Sequence, residues 1–217
     1  MKMKRKVITA LLAATMVASL AVGCGNKGGD SKSDSSKSSS SDEITIGFSQ
    51  VGAESDWRTA NSESMKSTFS EKNGYKLIFD DAQQKQENQI TAIRNFIQQD
   101  VDYIVLAPVT ETGWDTVLKE AKDADIPVII VDRMIDVSDD SLYTAWVGSN
   151  FKMEGQKACE WLNAYAEAKG MKEVNIAHIQ GTIGASAQIG RTEGLEEAAK
   201  EYGWNIVAQQ TGEFTQA

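Results

Sequence analysis

From Ile44 onward, short apolar runs alternate with longer amphipathic ones, and this alternation constrains the fold more than any other feature of the chain. Ile44–Ser49, Tyr75–Phe79, Tyr103–Leu106, Pro127–Val131 and Tyr143–Val147 read as strands. Between them, Trp57–Lys72, Gln86–Gln99 and Gly113–Asp123 carry helical spacing. The first of these helices has Ala60, Met65 and Phe69 at core spacing. The second has Ile90, Ile93, Phe96 and Ile97 on one face. Tyr103–Leu106 is almost continuously apolar, as central parallel strands are. Strand–helix–strand repetition predicts a parallel sheet with right-handed crossovers and helices on both faces, an α/β fold.

Gly148-Ser149-Asn150 breaks the run. Asn150 suits the N-cap of a long helix, Phe151 to Lys169. A second α/β unit starts at Glu173, with a strand Val174–Gln180, a loop Gly181–Ser186, a helix to Tyr202 and a strand Trp204–Gln210.

The first strand ends in a polar loop, and Gly47 to Arg58 reads GFSQVGAESDWR. In open α/β sheets, ligands sit outside the carboxyl ends of the strands. Here that end delivers Ser49, Gln50, Glu54, an indole (Trp57) and a guanidinium (Arg58). An indole covers the apolar face of a sugar ring, while carboxylates and guanidinium bond its hydroxyls in fixed directions. The alternative is an ordinary first loop with a core tryptophan. Ser49 and Gln50 are placed to line the floor. Asp132-Arg133, at the end of the fourth strand, is a second such pair, unless it is only a loop salt bridge. Trp114 either closes the same side or packs at the surface. In the second unit, Gly184-Ala185-Ser186 and Arg191 are candidates, because glycine admits a close backbone approach and a helix N-terminus offers free N–H groups. Arg191 either touches ligand or braces its own unit. His178 is the sole histidine and reads as a satisfied structural residue. No nucleophile–base pair, zinc spacing or nucleotide loop is present.

Charge narrows the partners. The 217 residues carry a net −9, and the four cations of residues 1–23 leave the remainder more acidic still. That excludes a nucleic-acid or anionic-lipid surface, which needs clustered Lys and Arg. The N-terminus reads as an export signal, with a basic stretch Lys2–Lys6 and an apolar stretch Val7–Val22 too short and small-residued to span a membrane comfortably. Ala21-Val22-Gly23-Cys24 resembles a bacterial lipobox, although Ala21 stands where a larger apolar residue is usual. Residues 24–42 then form a lipidated Cys24 and a Ser-rich disordered tether. The other cysteine, Cys159, is left without a partner and reads as a small buried apolar residue.

GFSQVGAESDWR, with QQKQENQ at 83–89, APV at 107–109, TGW at 112–114, VDR at 131–133 and QGTIGAS at 180–186, resembles the sugar-binding proteins of ABC importers, and most of all the galactofuranose-binding ones. The resemblance implies a periplasmic-binding-protein-like type I fold with two Rossmann-like lobes and parallel sheets. Residues 1–23 are then a lipoprotein signal peptide, 43–147 lobe one, and 148–217 a hinge crossing with a partial lobe two. Members of that family are longer, so a truncated product with an incomplete second lobe, binding sugar poorly by itself, is the corresponding expectation. The resemblance makes Trp57 the stacking platform and Arg58 a hydroxyl donor. It also assigns Asp132 and Arg133 to the sugar hydroxyls. Ile189 departs from it, standing where many relatives carry an arginine that reaches the sugar. The function implied is that of a lipid-anchored extracytoplasmic binding component of an ABC sugar importer. It would bind galactofuranose or a similar monosaccharide, partner permease and ATPase subunits, and act as a monomer without cofactor or catalysis. The alternative is a sugar-sensing ectodomain serving a sensor kinase or chemoreceptor. A sugar-responsive repressor conflicts with the export signal, and a cell-wall hydrolase lacks a paired-carboxylate motif.

Overall fold

A computed structural model of the protein describes residues 43–215. The signal peptide, Cys24 and the tether expected over 1–42 lie outside these residues. Among those described, β1 (Ile44–Gln50), β2 (Tyr75–Asp81), β3 (Tyr103–Leu106), β4 (Val128–Asp132) and β5 (Ala145–Gly148) form a five-stranded sheet in the order β2-β1-β3-β4-β5. Every pairing is parallel, with Phe48 opposite Phe79 on one side and Val105 on the other. The chain leaves β1 in one direction and returns to its other side for β3. That reversal opens a crevice at the carboxyl ends of the strands.

Side-chain alternation sorts the core into two layers. Phe48, Ile46, Val105 and Ala107 face α1 (Asp56–Thr68), where Met65 and Phe69 pack against them. Ile104, Leu106 and Ile130 face α2 (Gln86–Gln98) and α3 (Asp115–Asp123), together with Ile93, Phe96 and Leu118. Gly47 belongs to this second layer. A Cβ there would lie 2.4 Å from the Phe96 ring, so the aromatic occupies the space a side chain would need.

The predicted helix Trp57–Lys72 is shorter than expected. Ser55 caps α1 by accepting from the Arg58 N–H, and a separate 3₁₀ turn at Glu71–Asn73 ends in Gly74 at a φ of 85°. Ala60 is exposed rather than in the core, and the buried positions of α1 are Arg58 and Ser62. The inner face of α1 near its start is therefore held by polar bonds, not apolar packing. Helix α3 begins at Asp115, and Trp114 sits just before it with no exposed surface, its Nε1–H donating to the Thr110 carbonyl at 2.8 Å. Trp114 is thus a core residue, neither a wall of the cleft nor a surface residue.

The second unit starts at α4 (Phe151–Ala168), capped by the Asn150 side chain as anticipated. Strands β6 (Asn175–Gln180) and β7 (Asn205–Thr211) form a two-stranded parallel sheet, joined by α5 (Ser186–Tyr202). Helices α4 and α5 touch through their backbones, since a Cβ on Gly194 would lie 2.7 Å from the Lys152 carbonyl. Cys159 is buried with Leu195, Ala198 and Trp204, the small apolar role read for it. No helix among the described residues is long and apolar enough to cross a membrane.

Trp114 fills one face of the first core from a position without periodic neighbours. Trp114→Ala is expected to lower the unfolding free energy by about 3–5 kcal/mol. Urea denaturation checks this, and an unchanged midpoint would contradict the buried placement.

Candidate ligand-binding cleft

The crevice is built around one buried guanidinium. Arg58, in the first turn of α1, is 3% exposed. Its Nε donates to Glu54 Oε1 at 3.1 Å, its Nη1 to Gln50 Oε1 at 3.1 Å, and its Nη2 to Asp132 Oδ2 at 2.9 Å. The end of β1, the loop after it and the end of β4 are thereby tied together. Gln50 is fully covered. Its Nε2 donates to Asn61 Oδ1 and Ser62 Oγ, and its Oε1 also accepts from the Val51 N–H. The structure brings Gln50 to the site as a support for Arg58 beneath the floor, not as a lining residue. Ser49 is likewise fully buried.

Asp132 ends β4 with a φ of 65°, and the Arg133 N–H donates to the Val131 carbonyl across it at 2.9 Å. This is a γ-turn of the rare positive-φ form, which Asp tolerates better than most residues. Adjacent strand residues point to opposite faces, but this turn brings both Asp132 and Arg133 to the cleft. Arg133 is 4% exposed. Its Nη1 donates to the Val109 carbonyl at 3.2 Å, and the Phe214 ring covers one face with its centroid 4.9 Å from Cζ. Burial, and then the neighbouring Arg58, lower its pKa to about 10, so it remains protonated at neutral pH.

Two carboxylates of the first unit line the cleft. Glu54 Oε2 is buried and has no hydrogen-bond partner among the described residues. Asp132 has its second oxygen, Oδ1, unengaged among those residues. A buried acceptor left unpaired costs about 1–3 kcal/mol. Above them Trp57 is 58% exposed, with the Arg58 guanidinium 4.9 Å from its ring centroid.

The second unit supplies the opposite wall. Arg191 pairs with Glu154 at 2.9 Å and lies 5.0 Å from the Phe151 ring centroid, so it both braces α4 and faces the cleft. Ser186 does not line the cleft. Its Oγ accepts from the Met134 N–H at 2.8 Å, and a Glu111 N–H bond to the Gly184 carbonyl at 2.8 Å runs beside it. The candidate loop Gly184–Ser186 thus clamps the two units together. Phe214 faces the cleft although sequence reasoning missed it, since a lone aromatic after β7 carries no periodic signal. His178 lies beside a neighbouring cavity. Its Nδ1 is buried without a partner among the described residues, not satisfied as expected, and burial lowers its pKa.

The cleft measures about 380 Å³. Glu54, Asp132 and Glu154 face Arg58, Arg133 and Arg191 in it, so its charges balance. Dense hydrogen-bonding groups, aromatic faces and no surplus charge suit a neutral, polyhydroxylated ligand. No group of residues suited to a metal ion occurs among those described.

A family described as a periplasmic binding protein domain matches residues 46–217. The galactofuranose-binding protein YtfQ of Escherichia coli is 49% identical over 80% of this chain and 54% of its own length. The fructose import binding protein FruE of Bifidobacterium longum is 35% identical over 75% of this chain and 49% of its own. The chain spans about half the length of the curated relatives it matches. Among solved structures, a galactofuranose binding protein superposes with a TM-score of 0.75 at 48% identity, covering 79% of this chain and 57% of that one. The arabinose transporter component of Shewanella sp. ANA-3, bound to α- and β-L-arabinofuranose, superposes with a TM-score of 0.74 at 52% identity, covering 79% and 56%.

Arg58→Met would leave Glu54 without its cation and Asp132 with only the Arg133 guanidinium, at 3.9 Å. A loss of about 3–5 kcal/mol of stability is expected, as for breaking a buried ion pair from one side. Arg94→Met, which breaks an exposed pair with Glu120, is expected to leave the urea midpoint nearly unchanged.

Proposed function

The chain belongs to the periplasmic binding protein family, and from that premise we propose that it is the extracytoplasmic binding component of an ABC sugar importer. Its ligand is a neutral monosaccharide, galactofuranose or a similar sugar, held between a first lobe (43–147) and a second to which residues 148–217 contribute the hinge crossing and a part. The observation that carries this reading is the Arg58 hub. It holds Glu54 and Asp132 in place so that Asp132 keeps Oδ1 for a hydroxyl, beside an indole free to stack.

Each residue has a part in the proposal. Trp57 covers the apolar face of the ring. Asp132 and Glu54 accept from hydroxyls. Arg133 donates to the sugar oxygens and Arg191 faces them from the second lobe. Gln50 holds Arg58 and Ser186 holds the lobes together. Balanced charge disfavours a phosphorylated or acidic sugar, which would leave an unpaired anion among three carboxylates. The sugars named for the relatives, galactofuranose, fructose and arabinofuranose, are all neutral and agree with this. The binding step involves no catalysis. Export and lipidation at Cys24 would hold the protein at the outer side of the cell membrane, next to permease and ATPase subunits.

Calorimetric titration of a full-length version of the protein with galactose, arabinose, ribose and fructose tests the site. Asp132→Ala and Trp57→Ala are each expected to weaken binding by about 2–3 kcal/mol, through an unpaired hydroxyl and a lost stacking face. Lys119→Ala, on exposed α3 surface, serves as the control. Equal affinity in all three variants would refute the assignment. The anchor is tested separately: Cys24→Ala is expected to move the protein from the membrane to the soluble fraction, and unchanged membrane association would refute lipidation.

A further inference from the structure

Pro108 interrupts the first sheet at its carboxyl end. Strand β3 stops at Leu106, and the Ala107 N–H makes the last rung, donating to the Ser49 carbonyl at 3.1 Å. Pro108 has no N–H to give, so the ladder cannot run through it. The segment around it is nonetheless packed away from water, with Ala107 0% and Val109 3% exposed, and its backbone groups need partners. One side chain supplies them. Gln89, on α2, donates from Nε2 to the Ala107 carbonyl at 2.7 Å and accepts at Oε1 from the Val109 N–H at 2.8 Å. Its amide spans the proline as a neighbouring strand would.

Val109 is also the anchor of Arg133. Arg133 Nη1 donates to the Val109 carbonyl at 3.2 Å, the one hydrogen bond of that side chain among the described residues. Asp132 Oδ2 is 3.9 Å from the Arg133 Nε, too far for a second. The turn at Asp132 fixes the Arg133 backbone, but a long stem separates that backbone from the guanidinium. The Phe214 ring lies over one face and restrains movement out of the guanidinium plane. Within that plane the Val109 carbonyl is the fixed point. Bonds therefore run from Gln89, on a helix at one face of the sheet, through Val109 to a donor in the cleft.

Resting on the sugar-binding reading of the cleft, we propose that Gln89 is a positioning residue for Arg133. It is fully buried and lies outside the cleft lining, so it touches no ligand. By fixing Val109 it sets the place from which Arg133 donates to a sugar oxygen. Binding groups must be held to within about 0.5 Å, so loss of this support weakens binding while every contact group stays in place.

Galactose and arabinose, titrated by calorimetry into a full-length version of the protein, test it. Gln89→Met, which keeps bulk but loses the amide, is expected to weaken binding by about tenfold, as coupled neighbours do. In an Arg133→Met background the same change is expected to have almost no further effect. In a Trp57→Ala background the whole loss is expected to return. A merely structural role would lower affinity equally in all three backgrounds, and that result would overturn the proposal. Gln89→Glu keeps an oxygen for the Val109 N–H in either protonation state, so it is expected to bind like wild type even where its urea midpoint falls. Equal loss of affinity in Gln89→Glu and Gln89→Met would also overturn the proposal, because the Val109 bond would not be the cause. If Gln89→Met does not fold, Gln89→Ala replaces it, since the smaller side chain leaves room for water to satisfy the freed backbone groups without fixing Val109. The same pattern across backgrounds is expected of it. Wild-type protein that binds neither sugar would overturn the sugar reading itself, an outcome distinct from binding that is lost equally in every background.

Discussion

A guanidinium with almost no access to water must give its protons to the protein, and the carboxyl end of the first sheet is arranged around that requirement. Arg58 reaches three acceptors on three separate pieces of chain: Gln50 at the end of β1, Glu54 in the loop and Asp132 at the end of β4. Each partner is constrained in turn. Gln50 is held by Asn61 and Ser62 from the helix that carries Arg58, which closes the loop of bonds on itself. Asp132 accepts a positive φ to meet the guanidinium. A buried charge is tolerable only when paired and hydrogen-bonded, so none of these positions can be exchanged alone.

The same logic of buried polar groups governs the strand ends next to the cleft. Gln89, on α2, is fully covered, donating to the Ala107 carbonyl at 2.7 Å and accepting from the Val109 N–H at 2.8 Å. It satisfies the backbone just beyond β3, where the parallel ladder has run out of partners. The middle of the sheet is held by apolar packing in two layers, and its carboxyl end by amides and ion pairs. Hydrogen bonds fix direction where packing fixes only distance, and a site that reads hydroxyl positions needs fixed directions.

Aromatic rings complete the arrangement. Trp57, Phe214 and Phe151 each cover an arginine of the cleft, at 4.9, 4.9 and 5.0 Å. Covering one face of a guanidinium leaves its edge to donate, and the edge is what a hydroxyl meets. The clamp between units, Met134 to Ser186 and Glu111 to Gly184, ties the two walls together.

Much of the first unit was legible in the residue order. Alternating apolar runs implied parallel strands with helices on both faces, because strand and helix periodicities are local properties of the chain. The Ile90, Ile93, Phe96 and Ile97 face of α2, the Asn150 cap and buried Cys159 followed from the same local rules. So did the delivery of Trp57 and Arg58 to the start of a helix and of Asp132 and Arg133 to a strand end. What each polar side chain does there was not legible. Gln50 turned out to support Arg58, Ser186 to clamp the units, Trp114 to fill the core, and Phe214 to enter the cleft unannounced. Arg58 and Asp132 stand 74 positions apart, and no repeat in the sequence links them. Periodicity records which way a side chain faces within its own element. Which distant group it meets depends on strand order, register and the turn at Asp132, and those exist only once the sheet has formed.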